Sequence, residues 1–471
     1  MPDQVPDQVP SRTSIGLAAY AAYVPLHVLD DNRLDPDAPR PRGARAVAAY
    51  DEDPVTMAVE VARRLGRAPA EDGLLTLATT SSPYDAKTAA TIVHEALALE
   101  PSVTSLDLRG HRSGLSGLDL ALRTGGLATA ADLRMTRPGA PDELAQGDAA
   151  AAFLGGDARA AELVARATRT EEMLERWRLP GERVDRVWDE RFTADLLVRA
   201  ATDVVGQVLA EAGIERPDVV VVSSSNARAA ATLRKRLGGD GADAAVEAQT
   251  GFTGAAHPGL LLASALDVAE PGTLVLLVSA TDGADALLLR VGEGVRAARG
   301  GPSVAEQLAR RVPVSYARYL RWRGLLDVQG PARPAAPAPA APPIHRRRDW
   351  KYRLEGMRCD ACSAVTTPPG PVCARCGSVE GGKHVSLRDL PARIVSVAQD
   401  RLTTMPEREV AMVVADVEGG GRLTAYATDV DPATLAVGDR MRPTFRRLWT
   451  TDAVHNYFWK LRPWEDHTDG E

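Results

Sequence analysis

The chain has 471 residues, 45% hydrophobic and 25% charged, with a net charge of -7 and four cysteines. The length suggests two or three domains, the composition is ordinary for a globular protein, and the acidic balance excludes a general polyanion binder. The apolar run Ile15–Val24 is too short to span a membrane, and an acidic, proline-rich segment precedes it where a secretory signal is basic. A cytoplasmic location follows, and in that reducing compartment disulfides are not expected.

Residues 1–13 repeat "PDQVPDQVP" and read as a disordered tail. Residues 14–326 alternate strands and helices. Strands are expected at Ser14–Ala19, Leu74–Ala78, Thr104–Leu108, Val219–Ser223, Leu274–Val278 and Ala286–Val291, with alanine-rich helices between them. One helix has a clear start: Asp53 can cap it and Pro54 suits the first helical position. Such alternation predicts an α/β fold with a buried, mostly parallel sheet. Residues 327–345 then form a linker whose "GPARPAAPAPAAPPI" is too rich in proline for helix or sheet. As an extended spacer at about 3 Å per residue, it would hold two domains roughly 45 Å apart. Residues 346–390 contain the cysteines. Residues 391–471 carry strand-like runs at Ala392–Ala398, Val410–Val417, Leu423–Thr428 and Met441–Arg447, with "EGGGR" as a turn, and predict a small β-barrel.

Cys359, Cys362, Cys373 and Cys376 stand as Cys-x2-Cys, ten residues, Cys-x2-Cys. Each pair can place two thiolates on one ion from a tight turn. Two such turns complete the closed tetrahedron of structural zinc, which has no open position for catalysis.

Six segments, "GLAAYAAYVPLHVL", "EDPVTMAVEVAR", "SSPYDAKTAATIV", "GDAAAAFLGG", "VWDERF" and "SYARYLRWRG", together resemble the thiolase superfamily. Within it they are most similar to archaeal-type hydroxymethylglutaryl-CoA synthases and ketoacyl-ACP synthase III. "MRCDACSAVTTPPGPVCARCGS", "VGDRMRPTF" and "HNYFWKLRP" resemble the domain-of-unknown-function-35 family, a zinc ribbon followed by an OB-fold. The first resemblance implies a duplicated α-β-α-β-α layered fold that dimerises. The second implies a module that contacts acyl-CoA and bridges subunits beside thiolase-fold enzymes.

Chemistry in the first family needs a cysteine at a helix N-terminus, where the dipole favours the thiolate. In "DLRGHRSGL" the aligned position is Arg112, which cannot be a nucleophile. The acid/base glutamate aligns with Thr80, the histidine with Ser223, and the residue before Thr253 is Phe252. No cysteine occurs in the first 358 residues.

Ser113 is a candidate nucleophile, or else the cap of the helix Gly114–Arg123. His257 in "HPG" is a displaced base or a loop histidine near a helix start. Arg346, Arg347 and Arg348 could grip CoA phosphates or form a solvated linker end. The aromatics Trp449, Tyr457, Phe458, Trp459 and Trp464 could stack on single-stranded nucleic acid, or pack the barrel and its interface. The resemblance and the acidic charge favour packing.

The sequence thus points to an acyl-CoA-binding, thiolase-like subunit that has lost covalent chemistry and is fused to a zinc-ribbon/OB domain. It would serve a complex whose separate thiolase-fold partner carries its own cysteine. The alternative is an active acyltransferase or acyl-CoA hydrolase with a non-cysteine nucleophile.

Overall fold

The structure, a computed structural model, describes residues 16–464 except 36, 38, 331, 332 and 334–337. The tail at 1–13, the start of the first expected strand and part of the proline-rich spacer lie outside these residues.

Nine strands form one sheet: β1 (Gly16–Tyr23), β2 (Leu74–Thr79), β3 (Thr104–Arg109), β4 (Leu127–Asp132), β5 (Ala149–Gly156), β6 (Ala161–Thr170), β7 (Val219–Ser224), β8 (Leu274–Ala280) and β9 (Gly283–Val291). Their order is β7-β8-β9-β6-β1-β5-β4-β2-β3. Two half-sheets meet where Gly16 and Leu17 of β1 pair with Glu162 and Ala161 of β6. Parallel pairs (β2 with β3 and β4, β7 with β8) lie toward the outer ends, and the inner pairs are antiparallel.

Helix α1 (Pro54–Arg64) begins as its sequence requires. Asp53 accepts from Thr56 N at 3.0 Å, and Thr56 Oγ1 accepts from Asp53 N at 2.8 Å. Helices α2 (Ser113–Thr124) and α3 (Glu190–Ala212) follow, then α4 (Ala227–Leu237) and α5 (His257–Val268). Leu115, Leu118 and Leu122 of α2 share a core with Leu260–Leu262 and Leu266 of α5, which places this pair between the half-sheets. The approach is close: a Cβ on Gly114 would sit 1.7 Å from the Ala255 carbonyl oxygen, so only glycine fits. Helix α1 covers the first half-sheet and α3 the second. The duplicated α-β-α-β-α layering is therefore present.

The zinc ribbon consists of β10 (Glu355–Cys359), β11 (Val365–Thr366) and β12 (Gly382–Ser386). The last five strands are β13 (Ala392–Asp400), β14 (Val410–Val417), β15 (Arg422–Tyr426), β16 (Arg440–Thr451) and β17 (Val454–Pro463). They pair in the order β15-β14-β13-β16-β17, and Thr428 N donates to Leu461 O at 2.9 Å to close the ring. This is the closed five-stranded arrangement of an OB-fold. The ribbon braces the "EGGGR" turn. Gly420 and Gly421 adopt φ of 110° and 94°, and added Cβ atoms would press on Val365 and Thr367 at 3.0 Å.

Three expectations are corrected. The nine-stranded sheet is mixed, not mostly parallel: three of its strand pairs are parallel and five antiparallel. Ala341–Arg346, inside the expected linker, is helical: its prolines occupy the first turn, where no N–H is needed. The barrel also does not stand apart. Leu354, Val413, Phe445, Trp459 and Leu461 share one hydrophobic core with Val55, Val59, Leu75 and Val93 of the thiolase-like part.

Charges are sealed within the same contact. Asp51 meets Lys460 at 2.8 Å with both side chains fully buried. Arg446, also fully buried, binds Glu52 and, at 2.6 Å, Asp429. Tyr457 OH donates to Asp53 at 2.8 Å, and Arg462 lies 3.6 Å from the buried Glu60. Burial alone would lift the Asp51 carboxyl, but Lys460 and Arg446 outweigh it and hold it below the ordinary range.

Arg446→Met leaves Glu52 and Asp429 buried without their shared cation. A loss of about 3–5 kcal/mol is expected, read as a lower urea midpoint. An unchanged midpoint would refute this account of the interface.

Candidate functional site

The site is built where β2 and β4 end and α2 begins. Asp132, fully buried at the end of β4, collects the turn after β2. It accepts from Thr79 Oγ1 at 2.8 Å, Thr80 N at 2.7 Å, Thr80 Oγ1 at 2.9 Å and Ser81 Oγ at 2.8 Å. It also accepts from Ala255 N at 2.7 Å, tying this turn to the loop before α5. Arg134 Nη1 donates to Thr80 Oγ1 at 2.8 Å, so Thr80 is held between an acid and a base of the scaffold.

A cavity of about 720 Å³ opens over this turn and is walled by Thr80, Gly110, His111, Arg176, Arg178 and Asp185, among others. Arg178 Nη1 lies 2.8 Å from Asp185, which also meets Arg134. His111 Nε2 lies 3.6 Å from the Asp185 carboxylate. Burial raises the Asp185 pKa, but the contact with His111 and the charges of Arg134 and Arg178 outweigh it and depress it strongly. A second cavity, of about 390 Å³, shares Ser81, Ser82, Pro83, Arg178 and Glu182 with the first and reaches Arg447 and His455 of the barrel. The His455 backbone N donates to Tyr84 OH at 2.9 Å, joining the barrel to the same loop.

Arg112 does not enter the cavity. It forks onto Asp285 at 2.7 and 2.9 Å and donates to Thr168 and Thr170 at 2.8 Å each. Its bonds to Asp285 raise its pKa further. Phe252 is buried with its ring 5.9 Å from His111 and 4.9 Å from His257, and the Arg134 guanidinium lies 5.9 Å from its centre. Ser223 is buried on β7 and its hydroxyl has no hydrogen-bond partner.

Ser113 is not a cap. It is the first residue of α2, behind Arg112 at the N-cap, and its hydroxyl donates back to Gly110 O at 2.6 Å. No base stands at that hydroxyl among the described residues. Nor is His257 a loop residue: it opens α5, is fully buried, and its Nδ1 faces Thr253 N and Oγ1 at 3.3 Å each. Burial pushes its pKa down to about 4. Arg346, Arg347 and Arg348 are exposed on two short helical turns, and they line neither cavity described above.

The barrel aromatics pack inward. Tyr457 stacks on Phe445 at 5.7 Å, Trp459 Nε1 donates to Tyr352 O at 2.9 Å, and Phe458 meets Trp350 at 5.5 Å. Trp464 lies under Arg440 at 4.3 Å, while Trp449 is half-buried. Sequence reasoning missed Asp132, Arg134 and Asp185. Asp132 left one trace, as the lone acid closing the apolar run "LATAAD".

The four cysteine sulfurs lie within 4.8 Å of one another, with Cys359–Cys376 and Cys362–Cys373 at 3.7 Å. A tetrahedron of 2.3 Å zinc–sulfur bonds needs edges of about 3.8 Å, so the set fits zinc. Each pair sits on a matching turn: Ser363 N donates to Cys359 O and Gly377 N to Cys373 O, both at 2.9 Å. Such an ion would pin the two turns and so the ribbon that braces the barrel.

Two measurements follow. Metal analysis should find one zinc per chain, lost in Cys373→Ala together with ribbon structure. Stability should fall with acid through two buried neutral histidines. His27 and His257 are both pushed down from 6.5 to about 4 by burial. Below pH 6.5 the unfolded chain takes up protons that the folded chain refuses until about pH 4. Each histidine therefore costs about 1.4 kcal/mol per pH unit in that window. Asp267, raised to about 6 by burial, acts in the opposite sense. His257→Asn should flatten the decline between pH 6 and 4.5; an unaltered slope would refute the assignment.

The chain is similar to known proteins in two parts. Residues 351–380 match the family described as ChsH2, rubredoxin-like zinc ribbon domain. Hydroxymethylglutaryl-CoA synthase of Archaeoglobus fulgidus is 31% identical over 338 residues, covering 66% of this chain and 98% of the relative. That of Methanothermobacter thermautotrophicus is 29% identical over 342 residues, covering 66% and 99%. Among solved structures, an HMG-CoA synthase complexed with CoA superposes with TM-score 0.54 at 20% identity, covering 65% of this chain and 89% of that one. The HMG synthase of the curacin pathway, in complex with acetyl donor-ACP, gives 0.55 at 18% identity, covering 65% and 87%. Among the described residues no helix is long and apolar enough to cross a membrane. With a relative this similar covered almost end to end, the chain belongs to the hydroxymethylglutaryl-CoA synthase family and carries a zinc ribbon domain at its C-terminal side.

Proposed function

We propose that this protein is the acyl-CoA-binding subunit of a cytoplasmic, multicomponent acyltransferase or thiolase complex. In this reading it holds and guides the thioester but does not attack it. One observation carries it: the first 358 residues hold no cysteine, and Arg112, which the resemblance sets at the nucleophile's place, is committed to Asp285. A separate thiolase-fold partner with its own cysteine would make or break the carbon–carbon bond.

Three features support the guiding role. The CoA complex of a fold relative sets the expected ligand class. The cavity over Thr80 shares lining residues with the second cavity, which reaches the barrel. Arg447 and Arg183 line that second cavity and offer cations to an anionic ligand. Dimerisation through the thiolase-like part is supported by β3, a sheet edge with half-exposed Leu106 and exposed ladder positions. The fused zinc-ribbon/OB domain, 346–390 and 391–471, supplies the second wall.

The test uses the full chain, alone and with a thiolase encoded beside its gene. Condensation or retro-Claisen turnover is expected only from the mixture, and intact mass after incubation with acetyl-CoA should show no added acyl group on the chain. Turnover by the lone chain, or a stable adduct on Ser113, would overturn the proposal in favour of a non-cysteine acyltransferase.

A further inference from the structure

Lysine is scarce in this chain. Of its 56 lysine and arginine side chains only five are lysines: Lys87, Lys235, Lys351, Lys383 and Lys460. Arginine carries the positive charge almost everywhere, and a guanidinium cannot act as a nucleophile. Lys235 and Lys383 are exposed, and Lys460 is the buried partner of Asp51. The other two, Lys87 and Lys351, line one cavity of about 600 Å³. That volume suits a small organic ligand. The cavity is bounded by the helix Ala90–Ala96, the helical turn Arg348–Lys351 and the barrel strand β17. Its walls are largely apolar, with Ile92, Val103, Ile344 and Val454 beside the rings of Tyr352 and Tyr457.

Neither lysine pairs with a carboxylate among the described residues. Lys351 Nζ is bound to Asn456 Oδ1 and lies 5.7 Å from the centre of the Tyr352 ring. An amide oxygen accepts from an amine without requiring it to be charged. Burial, opposed by no anion, pushes Lys351 down to about 8. The acid at this cavity, Glu95, is taken by Arg353 at 3.1 Å. His94 and His455 are held by the backbone carbonyls of Glu100 and Pro83, at 3.0 Å each. Lys87 has only neutral partners, Thr91 Oγ1 at 2.9 Å and Thr88 O at 3.0 Å. The cavity thus holds a desolvated amine, a cation without a counter-ion and apolar walls. A lysine desolvated in this way is the usual nucleophile toward carbonyl compounds.

We propose that Lys351 is an imine-forming lysine and that this cavity takes a small oxo acid, with its aldehyde or ketone carbonyl on Lys351, its anionic group on Lys87 and its carbon chain against the apolar walls. The neutral amine of Lys351 adds to the carbonyl carbon, forming a C–N bond, and the carbonyl oxygen takes up a proton. The carbinolamine then loses water to give the imine. Amine and carbonyl become imine and water, and nothing is oxidised or reduced. Neither lysine borders the two cavities assigned above to acyl-CoA, so the site stands or falls apart from that reading.

The test uses the full chain with pyridoxal 5'-phosphate, an aldehyde carrying an anionic group, followed by borohydride reduction and peptide mapping. At about pH 8, Lys351 should be labelled at least about tenfold faster than the exposed Lys235 and Lys383. Lys351→Arg, which keeps the charge, should lose this label and retain the others. Lys87→Met should weaken labelling by pyridoxal 5'-phosphate but not by pyridoxal, which lacks the phosphate. The oxo acid 2-oxobutyrate should protect Lys351, and butyrate, with the same anion and no ketone, should not. Labelling spread over the exposed lysines with Lys351 spared would overturn the imine site. Equal protection by butyrate would overturn it too, leaving a site for anions alone.

Discussion

The rest of this structure depends on the sealed charge contact between the thiolase-like part and the barrel. The segment Asp51-Glu52-Asp53 supplies three adjacent acids: Asp53 caps α1, while Asp51 and Glu52 reach the barrel cations. Charges with no access to water must be paired, because separating them would strand each in a low-dielectric interior. The two parts therefore form one unit, and the picture of an extended spacer holding them apart, drawn from proline content, does not describe them. Their fixed contact also decides where the barrel sits. It meets the thiolase-like part at Tyr84 and His455, next to the turn that bounds the cavity.

The four positions that the sequence resemblance sets against catalytic residues are not vacancies. Thr80 is locked between Asp132 and Arg134. Arg112 has been taken up by Asp285, Thr168 and Thr170 on the ends of β6 and β9. Phe252 fills space against His111 and His257. Ser223 alone is left without a hydrogen-bond partner. Thr80 and Arg112 are thus held in polar networks and Phe252 in packing against two histidines.

Much of this was legible in the sequence because it rests on local chemistry. The Asp-Pro start of α1, the strands Val219–Ser224 and Val410–Val417, and the zinc turns are all written in short patterns that tertiary context did not override. Strands β4 and β5 were not read: "LATAAD" and "AAAAFLGG" are alanine-rich, and alanine signals neither strand nor helix when both faces are covered. The helix Ala341–Arg346 was missed because proline was read as a breaker, although at the first turn it is a starter. The pairing of His111 with Asp185 could not be found at all. These residues lie 74 apart on two loops, and only the folding of the 176–187 segment over the cavity brings them together.

The electrostatics at the start of α2 are set by a guanidinium–carboxylate pair. A nucleophilic cysteine there would draw on the positive end of the helix to keep its thiolate. Here a guanidinium occupies the N-cap, and a carboxylate, Asp285, has been placed to neutralise it. Placing cysteine at position 112 would delete the cation and leave Asp285 facing the new thiol. A carboxylate at that distance opposes a second negative charge and raises the thiol pKa, cancelling what the helix end supplies. Arg112 and Asp285 therefore set the electrostatics of this helix start as a pair. The N-terminal turn of α2 presents its cation to Asp285 on one side and its imidazole, His111, to the cavity on the other.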